Sequence, residues 1–152
     1  MTRSKNEQIA VLTGGGDAPG LNAVIRGLTT KAISLGYDVL GIRDGWRGLL
    51  DDGESTPLDL DEIEDIHMTG GTVLHTSRTN PYKVEGGVKQ VKKNLVRLNC
   101  KYLIAIGGED TLGVAAKLHK DGVNAVGVPK TIDNDLSETD YTFGFDTAIT
   151  RA

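Results

Sequence analysis

The amino-acid sequence predicts a three-layer α/β sandwich around a mainly parallel sheet. Short apolar runs alternate with longer amphipathic segments, the pattern of strand–helix–strand units. Glycine clusters directly follow several of those runs, where strand-end turns belong. The length, 152 residues, suits one domain with a real core.

The elements follow in order. Residues 9–13 form an apolar run that stops at Gly14-Gly15-Gly16 and reads as a buried strand. Pro19 suits the first turn of a helix, because its missing N–H and fixed φ cost nothing there. That helix is expected to reach about Leu35 and close at Gly36. Residues 37–42 read as a second strand, and the acidic residues 51–67 carry a weaker helical signal. Residues 86–98 predict a helix with Val88, Val91, Leu95 and Leu98 on one face. Residues 102–106 are the clearest buried strand, ended by Gly107-Gly108. A helix over 111–120 and a short strand over 124–128 follow. The segment 146–152 begins like a capped helix and stops, so residues 1–152 are expected to be one domain cut short. No repeat, linker or low-complexity tract interrupts the chain.

Composition narrows the partners. Glycine numbers 20, well above the usual ~7%, without a fixed period, which points to tight turns at a binding site. The net charge of −4 favours neither nucleic acid nor an anionic membrane. An anionic ligand must be captured by local groups. The single Cys100 excludes an internal disulfide and fits a reducing compartment. No apolar stretch approaches the ~20 residues of a membrane span, and a cytoplasmic setting is expected.

Four clusters could carry chemistry. In the first, residues 13–22, glycines between strand and helix let backbone N–H groups approach an anion at the positive end of the helix. It lacks the dinucleotide fingerprint, since Pro19 takes the third glycine position. It is no P-loop either, since Leu21-Asn22 stand where Lys-Ser/Thr is required. Phosphate binding and a purely structural turn both fit. In the second, Gly107-Gly108-Glu109-Asp110-Thr111, two carboxylates begin a helix. They are either caps or, with a phosphate nearby, ligands of a bridging Mg²⁺.

The third cluster, residues 128–135, puts Lys130, Asp133 and Asp135 on a loop after a strand. A carboxylate there could take a proton from an attacking hydroxyl, or the loop is a polar turn with Asx bonds. The fourth, residues 70–81, offers Arg78 as a bidentate phosphate ligand or as an ordinary surface arginine. His119 suits the solvated end of its helix, and Trp46 suits packing.

Taken together and in this order, the four clusters resemble the phosphofructokinase family. The matching stretches are residues 15–26, 70–81, 106–110, 129–135 and 139–148, so the likeness covers nearly the whole chain after residue 8. It implies a Rossmann-like topology and Mg²⁺-dependent phosphoryl transfer to the 1-hydroxyl of fructose 6-phosphate. It implies that Gly16 touches the donor phosphates, that Arg78 and Thr79 line the donor side, and that Glu109 holds the metal. Thr131, Ile132 and Asp133 meet the sugar, with Asp133 as the base. Asp135 supports the metal or the loop.

The likeness also bears on the donor. ATP-dependent members usually have glycine where this chain has Asp110 and Lys130, whereas pyrophosphate-dependent members resemble it at both. A carboxylate at 110 would repel the α-phosphate of ATP, and Lys130 would neutralise the leaving phosphate. Pyrophosphate is therefore the expected donor, with ATP the alternative. Departures remain. His75 stands where many members have glycine, so the backbone before Arg78 is expected to differ. Trp46 replaces a common tyrosine, and Thr30 replaces an effector-site arginine. Members are about twice as long, and the further half supplies most sugar-phosphate arginines. A non-catalytic fragment that binds anions or a full-length subunit is thus a second reading. Members form dimers or tetramers, so a homo-oligomer is expected.

Overall fold

The computed structural model describes residues 6–137 and 139–151. Five strands form one sheet: β1 (Gln8–Thr13), β2 (Asp38–Ile42), β3 (Ser55–Leu58), β4 (Cys100–Gly107) and β5 (Ala125–Pro129). Their spatial order is β3-β2-β1-β4-β5. Every neighbouring pair is parallel except β2 with β3. The helices are α1 (Leu21–Ser34), α2 (Trp46–Leu50), α3 (Gly87–Arg97), α4 (Glu109–Lys120) and α5 (Phe145–Arg151).

β1 is covered on both faces, which is why it reads as an unbroken apolar run. Ala10 and Leu12 pack with Trp46, Val91, Leu95 and Leu118 in one layer. Val11 turns to the other side, against Leu21 and Ile25 of α1. The expected sandwich is therefore observed, with α1 on one face and α2, α3 and α4 on the other. Val88, Val91, Leu95 and Leu98 share the α3 face as expected. Trp46, 1% exposed, is a core residue.

Three local expectations give way. Residues 51–67 form no α-helix: Pro57 sits in the edge strand β3, opposite Leu40. Proline interrupts a helix but is tolerated on an edge strand. A 3₁₀ turn, Ile66–Met68, follows. Second, α1 starts at Leu21, not Pro19, because Gly20 takes a left-handed conformation at φ 95°. Third, α2 lies in a stretch without predicted structure, since five residues are too few to show a helical period.

The topology fixes where a ligand can sit. From β1 the chain winds outward through β2 to β3, then returns to place β4 on the other side of β1. The carboxyl ends of β1 and β4 therefore diverge into separate loops and leave a crevice, the usual binding position in such sheets.

Candidate functional site

At that crevice lies an open cleft of about 530 Å³. The glycine turn contributes Gly15, Gly16 and Asp17, and the irregular segment after it contributes Ser77, Arg78, Thr79 and Asn80. The first turn of α4 adds Glu109, Asp110 and Thr111, and the loop after β5 adds Lys130, Thr131, Ile132 and Asp133. Every residue singled out above as donor, sugar or metal ligand thus lines one cavity. Asp135 lies apart, in a neighbouring depression with Glu109 and Thr131.

Thr111 explains two of the glycines. A Cβ on Gly14 would lie 2.5 Å from Thr111 Oγ1, and one on Gly107 would lie 2.6 Å from Thr111 Cβ. The turns after β1 and β4 close around this 4%-exposed side chain. The Gly14 N–H donates to the Ile106 carbonyl at 2.9 Å, tying both strand ends together. Gly108 holds the N-cap of α4 with no side-chain cap. Glu109 and Asp110 are exposed in the first turn. They do not cap the helix but suit its positive end.

Lys130 is the least ordinary side chain. It is 5% exposed, and its backbone N–H donates to the Gly107 carbonyl at 2.8 Å. Its ammonium donates to the Gly16 carbonyl. Burial lowers its pKa from the usual lysine value, while nearby Asp17 pulls it back up.

The loop beyond it is a polar turn of the kind considered above, and it also fronts the cleft. Thr131 Oγ1 accepts from the Asp133 N–H at 3.2 Å and donates to Asp135 Oδ1 at 3.0 Å. Asp135 thereby supports the loop. Asn134, at φ 51°, accepts from the Thr142 N–H at 2.9 Å. Buried Thr142 donates its hydroxyl to the Thr131 carbonyl at 2.7 Å. Ile132 and Asp133 remain exposed at the rim.

The segment before Arg78 has no regular structure and depends on side-chain ties. Asn22, 2% exposed in α1, donates to the Thr69 carbonyl and hydroxyl, both at 3.1 Å. Its Oδ1 accepts from the Val73 N–H at 2.8 Å. The Gly15 N–H donates to the Ser77 carbonyl at 3.1 Å. His75 sits at φ 58°, the left-handed region that glycine occupies freely. His119 is exposed in the last turn of α4.

Sequence reasoning missed Lys83 on the cleft, and gave no individual role to Asp17, Ser77 and Thr111 there or to Thr13 and Asn22 behind it, though these fall within its clusters. Asn22 alone left a signal, as a polar residue beside the apolar stripe Leu21, Ile25, Ala32.

Carboxylates outnumber cations around the cleft: Asp17, Glu109, Asp110 and Asp133 against Arg78, Lys83 and Lys130. A bare polyphosphate would meet repulsion there. Among the described residues no three His, Cys, Asp or Glu side chains form a metal cage. Mg²⁺ usually takes one or two carboxylates and completes its shell with water and substrate phosphates. The exposed Glu109 and Asp110 fit that donor set. Among the described residues no helix is long and apolar enough to cross a membrane.

Residues 8–152 match the family described as phosphofructokinase. A pyrophosphate–fructose 6-phosphate 1-phosphotransferase of Amycolatopsis mediterranei (strain S699) is 61% identical over 146 residues, covering 95% of this chain and 42% of that protein. An ATP-dependent 6-phosphofructokinase of Corynebacterium efficiens is 51% identical, again over 95% of this chain and 42% of the relative. The crystal structure of Pichia pastoris phosphofructokinase in the T-state matches with a TM-score of 0.89 at 29% identity, over 96% of this chain and 17% of that one. The chain thus spans less than half the length of these relatives. With the motifs in register, the fold matched and the family covering nearly every residue, the chain belongs to the phosphofructokinase family.

Proposed function

We propose that this chain is the donor-binding part of a magnesium-dependent phosphotransferase acting between pyrophosphate and fructose 6-phosphate. The observation that carries this reading is that Asp110 and Lys130 flank one cleft with the glycine turn, Arg78 and Asp133. The identity of 61% to a pyrophosphate-dependent relative, against 51% to an ATP-dependent one, supports the same donor.

The roles follow from charge and position. The backbone N–H of Gly16, with Arg78 and Thr79, holds the donor phosphates. Thr131 and Ile132 orient the sugar. Asp133 accepts the proton of the 1-hydroxyl as its oxygen bonds to the terminal phosphorus, giving fructose 1,6-bisphosphate. The bond from that phosphorus to the bridging oxygen breaks, and inorganic phosphate leaves with its charge offset by Lys130. Asp110 repels the α-phosphate of ATP. Glu109 would hold the Mg²⁺, which would supply charge neutralisation at the phosphates. The two phosphate anhydride and ester states are close in energy, so the reaction is reversible.

This reading carries a cytoplasmic setting and a homo-oligomeric enzyme in glycolysis, with residues 1–152 as the donor domain. The sugar-phosphate ligands then belong to the remaining length of the longer relatives. Donor binding is accordingly the direct test: titration calorimetry of the 152-residue chain with Mg²⁺ and either pyrophosphate or ATP. Pyrophosphate is expected to bind and ATP to bind weakly; the reverse order would overturn the donor assignment. The 51% identity to an ATP-dependent relative is what favours that second reading.

A further inference from the structure

Residues 69–80 carry Arg78 and Thr79 with no strand or helix of their own. Such a segment holds a side chain in place only through particular bonds to the scaffold. Two of those bonds converge on Thr13, the last residue of β1, which is 0% exposed. Its hydroxyl donates to the His75 carbonyl at 2.7 Å. It also lies 3.0 Å from the Thr72 hydroxyl.

A hydroxyl has one proton to give. With the Thr13 proton committed to His75, Thr72 is the donor in the second pair, and Thr72 Oγ1 accepts in turn from the Leu74 N–H at 3.1 Å. The bonds therefore run one way, from Leu74 through Thr72 and Thr13 to His75. They end on a residue with a rare conformation, His75 at φ 58°. Its neighbour Leu74 is fixed as well, with its carbonyl accepting from the Asp44 N–H at 2.8 Å. Arg78 lies three residues beyond.

We propose that Thr13 is a positioning residue of the donor site. Its hydroxyl holds His75 in the left-handed turn and so sets the path of the backbone through Ser77, Arg78 and Thr79. Because Thr13 also leads into Gly14-Gly15-Gly16, one side chain ties the phosphate turn to the arginine that faces it. This rests on the reading that Arg78 and Thr79 bind donor phosphates. Valine has the shape of threonine and none of its bonds, whereas serine keeps the hydroxyl and loses a methyl group.

The test compares the wild-type 152-residue chain with Thr13→Val, Thr13→Ser and Thr72→Val. Calorimetry with Mg²⁺ and pyrophosphate reads the site, and amide hydrogen exchange over residues 75–80 reads the loop. Thr13→Val is expected to bind pyrophosphate about tenfold more weakly and to exchange about tenfold faster there, the scale of one lost buried hydrogen bond. Thr13→Ser is expected to restore both. Thr72→Val breaks the same chain at a less buried link and is expected to shift both readouts in the same direction, which covers a Thr13→Val protein that fails to fold. Wild-type affinity and exchange in the valine variants would overturn the proposal. So would a serine variant as impaired as the valine one, since packing would then be the cause. If the wild-type chain does not bind pyrophosphate, the donor reading itself falls, and exchange over residues 75–80 alone decides the role of Thr13.

Discussion

The Lys130 ammonium donates to the Gly16 carbonyl, joining two loops 114 positions apart in sequence. The bond makes the glycine turn and the loop after β5 a single unit, with a buried cation between them. The cation is held at a cost. Burial places its pKa below the ordinary 10.5, with Asp17 only partly opposing the shift.

That shift fixes a pH dependence. A lysine that releases its proton more readily in the fold than in the unfolded chain carries a charge-burial cost at low pH. The cost is present in full below the folded pKa and fades as pH rises through it, because the unfolded chain then keeps the extra proton. The stability of wild type relative to Lys130→Met is therefore expected to rise as pH approaches 10.5 from below. Pyrophosphate binding is expected to fall over the same interval, as the neutral amine no longer offsets phosphate charge. Thermal melts and calorimetric titrations across that interval check both; two profiles moving together would contradict the assignment.

The donor preference is best probed by Asp110→Gly alone. Asp110 is exposed in the first turn of α4, so its carboxylate can be removed without opening a cavity. ATP affinity is expected to rise by about tenfold, on the order of 1–2 kcal/mol for removing one like charge near the surface. Adding Lys130→Gly is expected to weaken pyrophosphate binding. That second change also removes the tie to Gly16 and empties a buried position, so the single variant gives the cleaner reading. Calorimetry with each nucleotide and with pyrophosphate distinguishes the outcomes.

Much of this site was legible because glycine turns after apolar strands leave a local mark, and the charged residues of the cleft sit beside them. Gly16, Glu109, Asp110, Lys130 and Asp133 all lie within a few positions of a glycine or proline that ends an element, and Arg78 lies three positions before the proline that opens a 3₁₀ turn. The bonds that hold the cleft in shape left no such mark. Thr13 meets Thr72 across 59 positions and His75 across 62. Asn22 meets Thr69 across 47. No local period encodes those distances. The strand β3 was hidden by Pro57 and its acidic neighbours, and α2 by its length. At His75 the residue type gave no hint of the left-handed backbone, which is rare for histidine but not forbidden.

Asn22 should not tolerate the smallest change of its amide. In Asn22→Asp the acceptor for the Val73 N–H survives, but an oxygen replaces the donor that faces the Thr69 carbonyl. The Thr69 hydroxyl offers no relief, because its proton goes to the Ile66 carbonyl at 2.8 Å. The loss is expected to be roughly 1–3 kcal/mol at neutral pH, the cost of leaving a buried polar group unmatched. A protonated aspartic acid can donate again, so its folded pKa lies above the unfolded value and the variant recovers as pH falls. Urea denaturation of variant and wild type at neutral and acidic pH reads that recovery. An equal deficit at both would show that the lost donor to the Thr69 carbonyl is not the cause.

The closest packing in the site yields a coupled prediction. Gly14 needs no left-handed backbone, so the obstacle to a side chain there is Thr111. A methyl group at 14 would meet Thr111 Oγ1 at 2.5 Å and Thr111 Cγ2 at 3.0 Å, yet would stand 3.4 Å from Thr111 Cβ. Gly14→Ala is therefore expected to cost roughly 1–3 kcal/mol, the usual price of overpacking. Thr111→Ala removes both offending atoms and keeps the Cβ that is tolerated. The double variant should then be more stable than Gly14→Ala alone, with a favourable coupling of about 1 kcal/mol or more between the sites. Chemical denaturation of the four proteins in the cycle measures that term directly. Additive losses would mean that the turn yields at Gly14 instead of closing on Thr111.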